Sequence, residues 1–135
     1  MATEPDLDLV NAIDTALATL TLGTDLFRGV MRAVGPGSPN EAVAVLATGG
    51  PQPLAYLDGT AIERYFSALQ IRIRSIERSF RTGQALARSV RDVAHHASIA
   101  GYIDTRVLES EPLYLGSDDE GNHEWSINVE MWHEQ

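Results

Sequence analysis

Leu69, Ile71 and Ile73 alternate with Gln70, Arg72 and Arg74. This run constrains the fold more than any other feature of the chain. A side-chain period of two gives a strand one dry face and one polar face, and it suits no helix. The expected strand runs from Ser67 to Ser75. A second alternating run lies near the C-terminus. Trp125, Ile127, Val129 and Met131 share one face, and Ser126, Asn128, Glu130 and Trp132 share the other. Two half-dry strands need an apolar layer against their dry faces.

Two helical periods can supply that layer. Leu7, Val10, Ile13, Leu17 and Leu20 recur at three- and four-residue steps, which predicts a helix over Asp6–Thr21. Thr3 with Asp6 resembles a capping box, Pro5 suits a first turn, and Gly23 is the expected stop. The second helix is expected over Ser79–Ser98. Its buried stripe is Phe80, Ala87, Val90, Ala94 and Ala97, joined by Leu86 and Val93. Arg81, Arg88, Arg91, Asp92 and His95 lie on the other side. Gly83 costs about 1 kcal/mol against Ala inside a helix. It is either an interior weak point or a sign that the helix starts after Thr82. Gly101 is the expected end.

The remaining elements are shorter. Leu26–Val30 and Ala42–Thr48 read as strands, separated by a Gly- and Pro-rich loop at 35–40. Residues 49–53 break the second of these, and 54–66 read as an extended loop. Val107–Leu115 and His123–His133 form a hairpin about the turn at 118–122, with Pro112 at an edge or a bulge. The order is α, β, β, β, α, β, β. It predicts an α+β fold: a mainly antiparallel sheet of four to five strands with two helices packed on one face. Residues 1–135 are expected to form one domain, because 135 residues with 44% hydrophobic content can bury a core without covalent staples.

Charge and composition exclude several functions. Ten Arg face nineteen acids, a net charge of −9, so a nucleic-acid-coating role is disfavoured. There is no Lys; the plain reading is codon usage, not a selected preference for bidentate contacts. There is no Cys, which removes disulfides, Cys-ligated metals and thiolate catalysis. No apolar stretch is long enough to span a membrane. The acidic start is unlike a secretory signal, so the protein is expected to stay where it is made. The charge is also uneven: residues 61–103 carry seven Arg against three acids, and residues 104–135 one Arg against nine acids. A basic middle and an acidic end suit internal pairing or head-to-tail contact between copies.

A search for chemistry finds little. Phosphate-loop, dinucleotide, zinc-protease and nucleophile-elbow motifs are absent. Gly49-Gly50-Pro51 reads as a turn. Asp92, His95 and His96 on the second helix, with His123, are the best metal candidates. The plainer reading of paired His at a helix end is a dipole partner or solvated surface. Asp118, Asp119 and Glu120 lack calcium-loop spacing. Arg72 and Arg74 attract more interest. Either they pair with Glu130 or Glu111 within the chain, or they meet another subunit. Trp132, an aromatic on a polar face, raises the same choice.

A resemblance rests on an ordered series of short stretches. These are Leu26-Phe27-Arg28-Gly29-Val30-Met31, Ser38-Pro39-Asn40-Glu41-Ala42-Val43-Ala44-Val45, Gly49-Gly50-Pro51 and Leu69-Gln70-Ile71-Arg72-Ile73-Arg74. The series ends with Glu111-Pro112-Leu113-Tyr114-Leu115-Gly116-Ser117-Asp118-Asp119-Glu120-Gly121 and Trp125-Ser126-Ile127-Asn128-Val129-Glu130. Over about residues 7–133 the layout resembles the tail terminator proteins of long-tailed bacteriophages, also called minor capsid or tail completion proteins. Residues 53–66 do not follow the pattern.

The resemblance implies a structural virion protein, not an enzyme, with no cofactor and no metal. It implies a ring, usually of six copies, at the head-proximal end of the tail and assembled in the host cytoplasm. The ring caps the tail tube, stops its polymerisation and joins the tail to the head connector or stopper protein. DNA passes through the lumen without specific binding, and no membrane is involved. The expected subunit-interface residues are Arg72, Arg74 and Arg78 facing a neighbour's Glu109, Glu111 or Glu130, with Trp132 nearby. A neck adaptor on the head side is the nearest alternative. A cellular α+β binding module and a small metal-dependent hydrolase using Asp92, His96 and His123 are the alternatives from other classes.

Overall fold

A computed structural model describes residues 4–29, 41–50, 54–55, 63–75, 80–117 and 121–134. The elements are α1 (Pro5–Ala16), β1 (Leu26–Arg28), β2 (Ala42–Gly49), β3 (Leu54–Ala55), β4 (Glu63–Ser75), α2 (Phe80–Ala94), β5 (Asp104–Val107), β6 (Leu113–Ser117) and β7 (His123–Glu134). The fold is α+β.

The two alternating runs form the centre of the sheet. β4 and β7 pair antiparallel in one unbroken register from Arg64–Glu134 to Ser75–His123. Antiparallel neighbours directly opposite share a face, so Ile71 meets Ile127 and Arg72 meets Ser126. On the other side of β4, β2 pairs along 68–74 and β3 along 63–64, both antiparallel. β5 and β6 share the outer side of β7. Seven strands therefore make a sheet five strands wide, in the order β1-β2-β4-β7-β5.

The sheet is mixed, because β1 runs parallel to β2. A parallel neighbour needs a long connection, and thirteen residues separate the two strands in sequence. The expected loop over 54–66 instead contains β3 and the first residues of β4. The Gly- and Pro-rich loop at 35–40 lies outside the described residues.

The expected strand Val107–Leu115 is two strands. Its middle leaves β7 opposite Asn128, and the backbone of Asn128 is satisfied by other means. The Asn128 N–H donates to Glu109 Oε1 at 2.7 Å, and its carbonyl accepts from the Leu108 N–H at 3.0 Å. A carboxylate thus occupies one rung of the ladder. Pro112, which has no N–H to offer, lies in the same excursion.

Both helices cover one face. Leu9, Val10 and Ile13 of α1 and Ala87, Val90 and Ala94 of α2 pack on Val43, Val45, Leu69, Ile71, Ile73, Trp125, Ile127, Val129 and Met131. This cluster draws on residues from Leu9 to Met131. At about 1.5–3 kcal/mol for each large side chain removed from water, it is the main term holding the chain together.

The helix ends differ from expectation. Glu4 is the N-cap of α1 and makes no side-chain cap; Thr3 lies outside the described residues. α1 stops at Ala16, and Leu17 is extended. The Leu20 N–H then turns back to the Leu17 carbonyl at 3.1 Å, which buries Leu20 in the core without helix. α2 begins before Gly83. A Cβ on that residue would stand 2.6 Å from Trp125 Cη2 and nearer still to Ser75. Glycine therefore permits the close approach of α2 to the sheet. α2 ends at Ala94, well before Gly101. His96 takes the left-handed conformation, at φ 57, and its N–H donates to the Thr105 carbonyl. That bond to β5 holds a conformation usually left to Gly or Asn. Phe80 is 39% exposed, and Ala97 lies past the helix.

Candidate functional site

The face of the sheet without helices carries the alternate residues of the same strands. Gln70, Arg72 and Arg74 of β4 stand in register with Asn128, Ser126 and Glu124 of β7. On their other flank are Leu46, Ala44 and Ala42 of β2. Phe27, Ala42 and Ala44 form a second, small buried cluster there. Phe66 and Trp132 continue the face, with rings edge-on at 4.8 Å between centroids. Arg106 Cζ lies 4.8 Å from the centre of the Trp132 ring, a cation–π contact. The Trp132 indole N–H donates to Glu130 Oε1 at 2.8 Å.

Arg72, Arg74, Glu130 and Trp132 are thus brought onto one face. Arg74 is 3% exposed. Arg72 is half-buried, and its Nε is buried without a hydrogen-bond partner. Cross-strand pairing of these arginines with Glu130 or Glu111 does not occur. Glu130 lies opposite Ala68 and Arg106, and Glu111 pairs with Arg88 Nε at 3.0 Å, both side chains more than half exposed. Glu109 is bound to Asn128 through its carboxylate, and its carbonyl accepts from Arg91 Nε at 2.9 Å. Arg78 lies outside the described residues. The other six expected residues divide into four on the face (Arg72, Arg74, Glu130 and Trp132) and two, Glu109 and Glu111, with partners elsewhere in the chain.

The expected metal candidates do not converge. Asp92 bonds Arg91 Nη1 at 3.2 Å. His96 Nδ1 meets Asp104 Oδ1 at 3.0 Å, and His95 Nδ1 accepts from the Val107 N–H at 3.2 Å. His123 lies apart, beside Tyr114 and Phe80. Among the described residues no three His, Asp or Glu side chains gather as a metal site. The bond from His96 holds the Asp104 carboxyl below its usual range. Burial pushes the His95 imidazole down, and His96 and Arg91 add to this by like charge. The sequence placed Asp92 beside His96 on one helix; the true partner, Asp104, comes from β5, and no local spacing signals it.

Sequence reasoning paired β6 correctly with the last strand but missed its exposure. It treated Leu113–Leu115 as an ordinary hairpin strand, whereas Leu113, Tyr114 and Leu115 are all exposed. The run Leu-Tyr-Leu after Pro112 was the available signal, because an apolar strand flanked by acids is unusual at a solvated edge.

A set of arginine, tryptophan and glutamate on a sheet face that neither helix covers, with no catalytic groups converging among the described residues, suits an assembling protein. No curated protein matches the chain significantly. Residues 11–134, however, match the family described as bacteriophage tail terminator protein. The match covers both helices and every strand of the sheet save the first turns of α1. The chain belongs to the bacteriophage tail terminator proteins, structural components of the virion tail.

Proposed function

We propose that this chain, acting as one domain, forms a ring, of six copies by the family resemblance, at the head-proximal end of the tail tube. The ring stops tube polymerisation and offers the tail's docking surface to the head connector. It assembles in the host cytoplasm, and DNA passes through its lumen. The observation that carries the copy-to-copy contact is the helix-free face: Arg72 has a buried Nε without a partner, beside half-buried Trp132. Leaving a buried donor unmade costs about 1–3 kcal/mol, and a neighbour's carboxylate meeting the exposed part of half-buried Arg72 offsets it.

The neighbour's Glu130 is the first choice for that carboxylate, because only its Oε1 is engaged. Glu109 and Glu111 already serve Asn128 and Arg88 and would be shared. One surface meeting a different surface of the next copy is the heterologous contact that closes a ring. The net charge of −9 also disfavours a grip on DNA in the lumen.

The test has two parts. Electron microscopy of particles lacking the gene should show over-long tails without heads. Normal-length tails left unattached would instead assign a head-side adaptor. Arg72→Glu should leave a folded monomer that forms no ring in sedimentation, whereas Arg74, 3% exposed, is left unchanged because reversing a buried charge would test the fold instead. A ring of unchanged size in that variant would remove this face from the contact.

A further inference from the structure

Three of the sheet's outer edges, those of β1, β5 and β6, end differently. At β1, the Leu26 N–H donates to the Thr21 carbonyl at 3.2 Å and the Leu26 carbonyl accepts from the Gly23 N–H at 2.8 Å. The turn before the strand thus closes that edge. At β5, the His96 N–H donates to the Thr105 carbonyl and the Val107 N–H to His95 Nδ1. The turn after α2 closes that one. At β6, among the described residues, nothing bonds the backbone of Leu113–Ser117 on the side away from β7.

An open edge is a template for another strand, and proteins that must avoid this place charge or proline along it. β6 reads Leu-Tyr-Leu-Gly-Ser, with neither. Leu113 is 54% exposed and Leu115 43%. Tyr114 is held in place from below, its ring 5.3 Å from that of Phe80 and its hydroxyl 2.9 Å from His123 Nδ1. The edge is therefore rigid as well as bare. One restraint is present: the register shifts between Tyr114 and Gly116, and Gly116 sits at φ 102. Such a bulge limits any added strand to a few residues and discourages open-ended growth.

Charge selects the occupant. Glu109 and Glu111 precede the strand, and Asp118, Asp119 and Glu120 follow it in sequence. A second copy's β6 laid antiparallel would set acidic flank against acidic flank, which is repulsive. The β1 and β5 edges of a second copy are already closed. We propose that the β6 edge docks an extended segment of another virion protein, apolar at alternate positions and basic at both ends, which adds a strand to this sheet. Leu113, opposite Ser126, stands on the same face as Arg72, but the backbone edge that takes the added strand is distinct from the Arg72 side chain, and the test reads that edge without the ring.

Hydrogen exchange on the full chain tests it, with two synthetic peptides as probes. Both carry a Val-Thr-Val-Thr-Val centre; one is flanked by paired Arg and the other by paired Glu. At about ten times its Kd, the Arg-flanked peptide should slow exchange within Leu113–Ser117 roughly tenfold. Added salt should weaken the effect, and the Glu-flanked peptide should give none. Leu113→Lys with Leu115→Lys should abolish the protection while the thermal transition stays in place. Leu113→Thr with Leu115→Thr, which keeps strand propensity, serves if the lysine pair does not fold, and should bind several-fold more weakly. Protection by neither peptide, by both equally, or only outside β6 would overturn the proposal. So would protection of β6 that rises with protein concentration alone, which would make a second copy the occupant.

Discussion

The two faces of the β4–β7 pair are built from alternate residues of the same strands, yet they serve different ends. Under the helices, Leu69, Ile71, Ile73, Ile127, Val129 and Met131 are wholly buried or nearly so. On the other side, Gln70, Arg72, Asn128, Glu130 and Trp132 are half-buried and polar. The first face is closed by its own chain. The second is buried too at Arg74, Ser126, Ala42 and Ala44, but holds a buried nitrogen without a hydrogen-bond partner on Arg72, a tryptophan with its indole N–H on Glu130, and an arginine stacked on that tryptophan. Folding strength and the proposed assembly surface are thereby separated by a single-residue step along a strand. A substitution should report on one or the other, according to the parity of its position.

The largest effect expected on the covered face comes from Trp125, which touches both β6 and the start of α2. Trp125→Ala should lower unfolding free energy by about 3–5 kcal/mol in urea titration. A loss near zero would mean that the core does not depend on it. Gly83→Ala should cost about 1–3 kcal/mol by overpacking against Ser75 and Trp125, opposite in sign to the usual gain from Gly→Ala in a helix.

Glu109 sharpens the comparison. It was expected at a subunit interface and is found closing the ladder at Asn128. Glu109→Ala should destabilise the isolated chain by about 1.5–3 kcal/mol, the range for hydrogen bonds to a charged group. Stability unchanged but ring formation lost would return it to the interface. Arg72→Met should do the reverse: the monomer should stay within about 1 kcal/mol, because a buried unpaired nitrogen is removed, and assembly should fail. The smallest effect belongs to Arg88→Ala. Its pair with Glu111 is exposed on both sides and should contribute about 0–1 kcal/mol.

Acid should also divide the molecule. Burial holds His95 and His133 below the usual imidazole value of 6.5. A histidine whose folded pKa is depressed stays neutral in the fold while the unfolded chain takes up its proton. Stability is then fully present above about pH 6.5 and drains as pH falls through that value toward the folded pKa. The thermal midpoint should therefore drop between pH 7.5 and 5.5. His95→Gln should make the drop shallower, since an amide oxygen can still accept from Val107. An unchanged profile would show that His95 does not carry the effect.

Much of the covered face was legible because burial leaves a periodic trace. The alternation at 69–74 and 125–132 gave the two central strands and their dry faces, and the stripe Ala87, Val90, Ala94 gave the packed side of α2. Leu20 was assigned correctly to the core but for the wrong reason, as helix rather than as a turn. The candidate surface was legible in part. Arg72, Arg74, Glu130 and Trp132 do share a face because their parity demands it. Glu109 and Glu111 do not join them, because the chain leaves β7 at that point and turns both toward internal partners. Parity carries no information once a strand is interrupted.

The sequence by itself determined which residues must be dry, and hence that two strands and two amphipathic helices pack as an α+β layer. That is a consequence of local periodicity acting through the hydrophobic effect, which has range along the chain but no direction in space. Only the tertiary structure decided the partners: that β1 lies parallel to β2, that Asp104 and not Asp92 meets His96, that Glu109 fills a rung of the ladder, and that no described residue pairs with the outer edge of β6. Hydrogen bonds and ion pairs are short and directional, so they depend on which distant segments the packed core brings together.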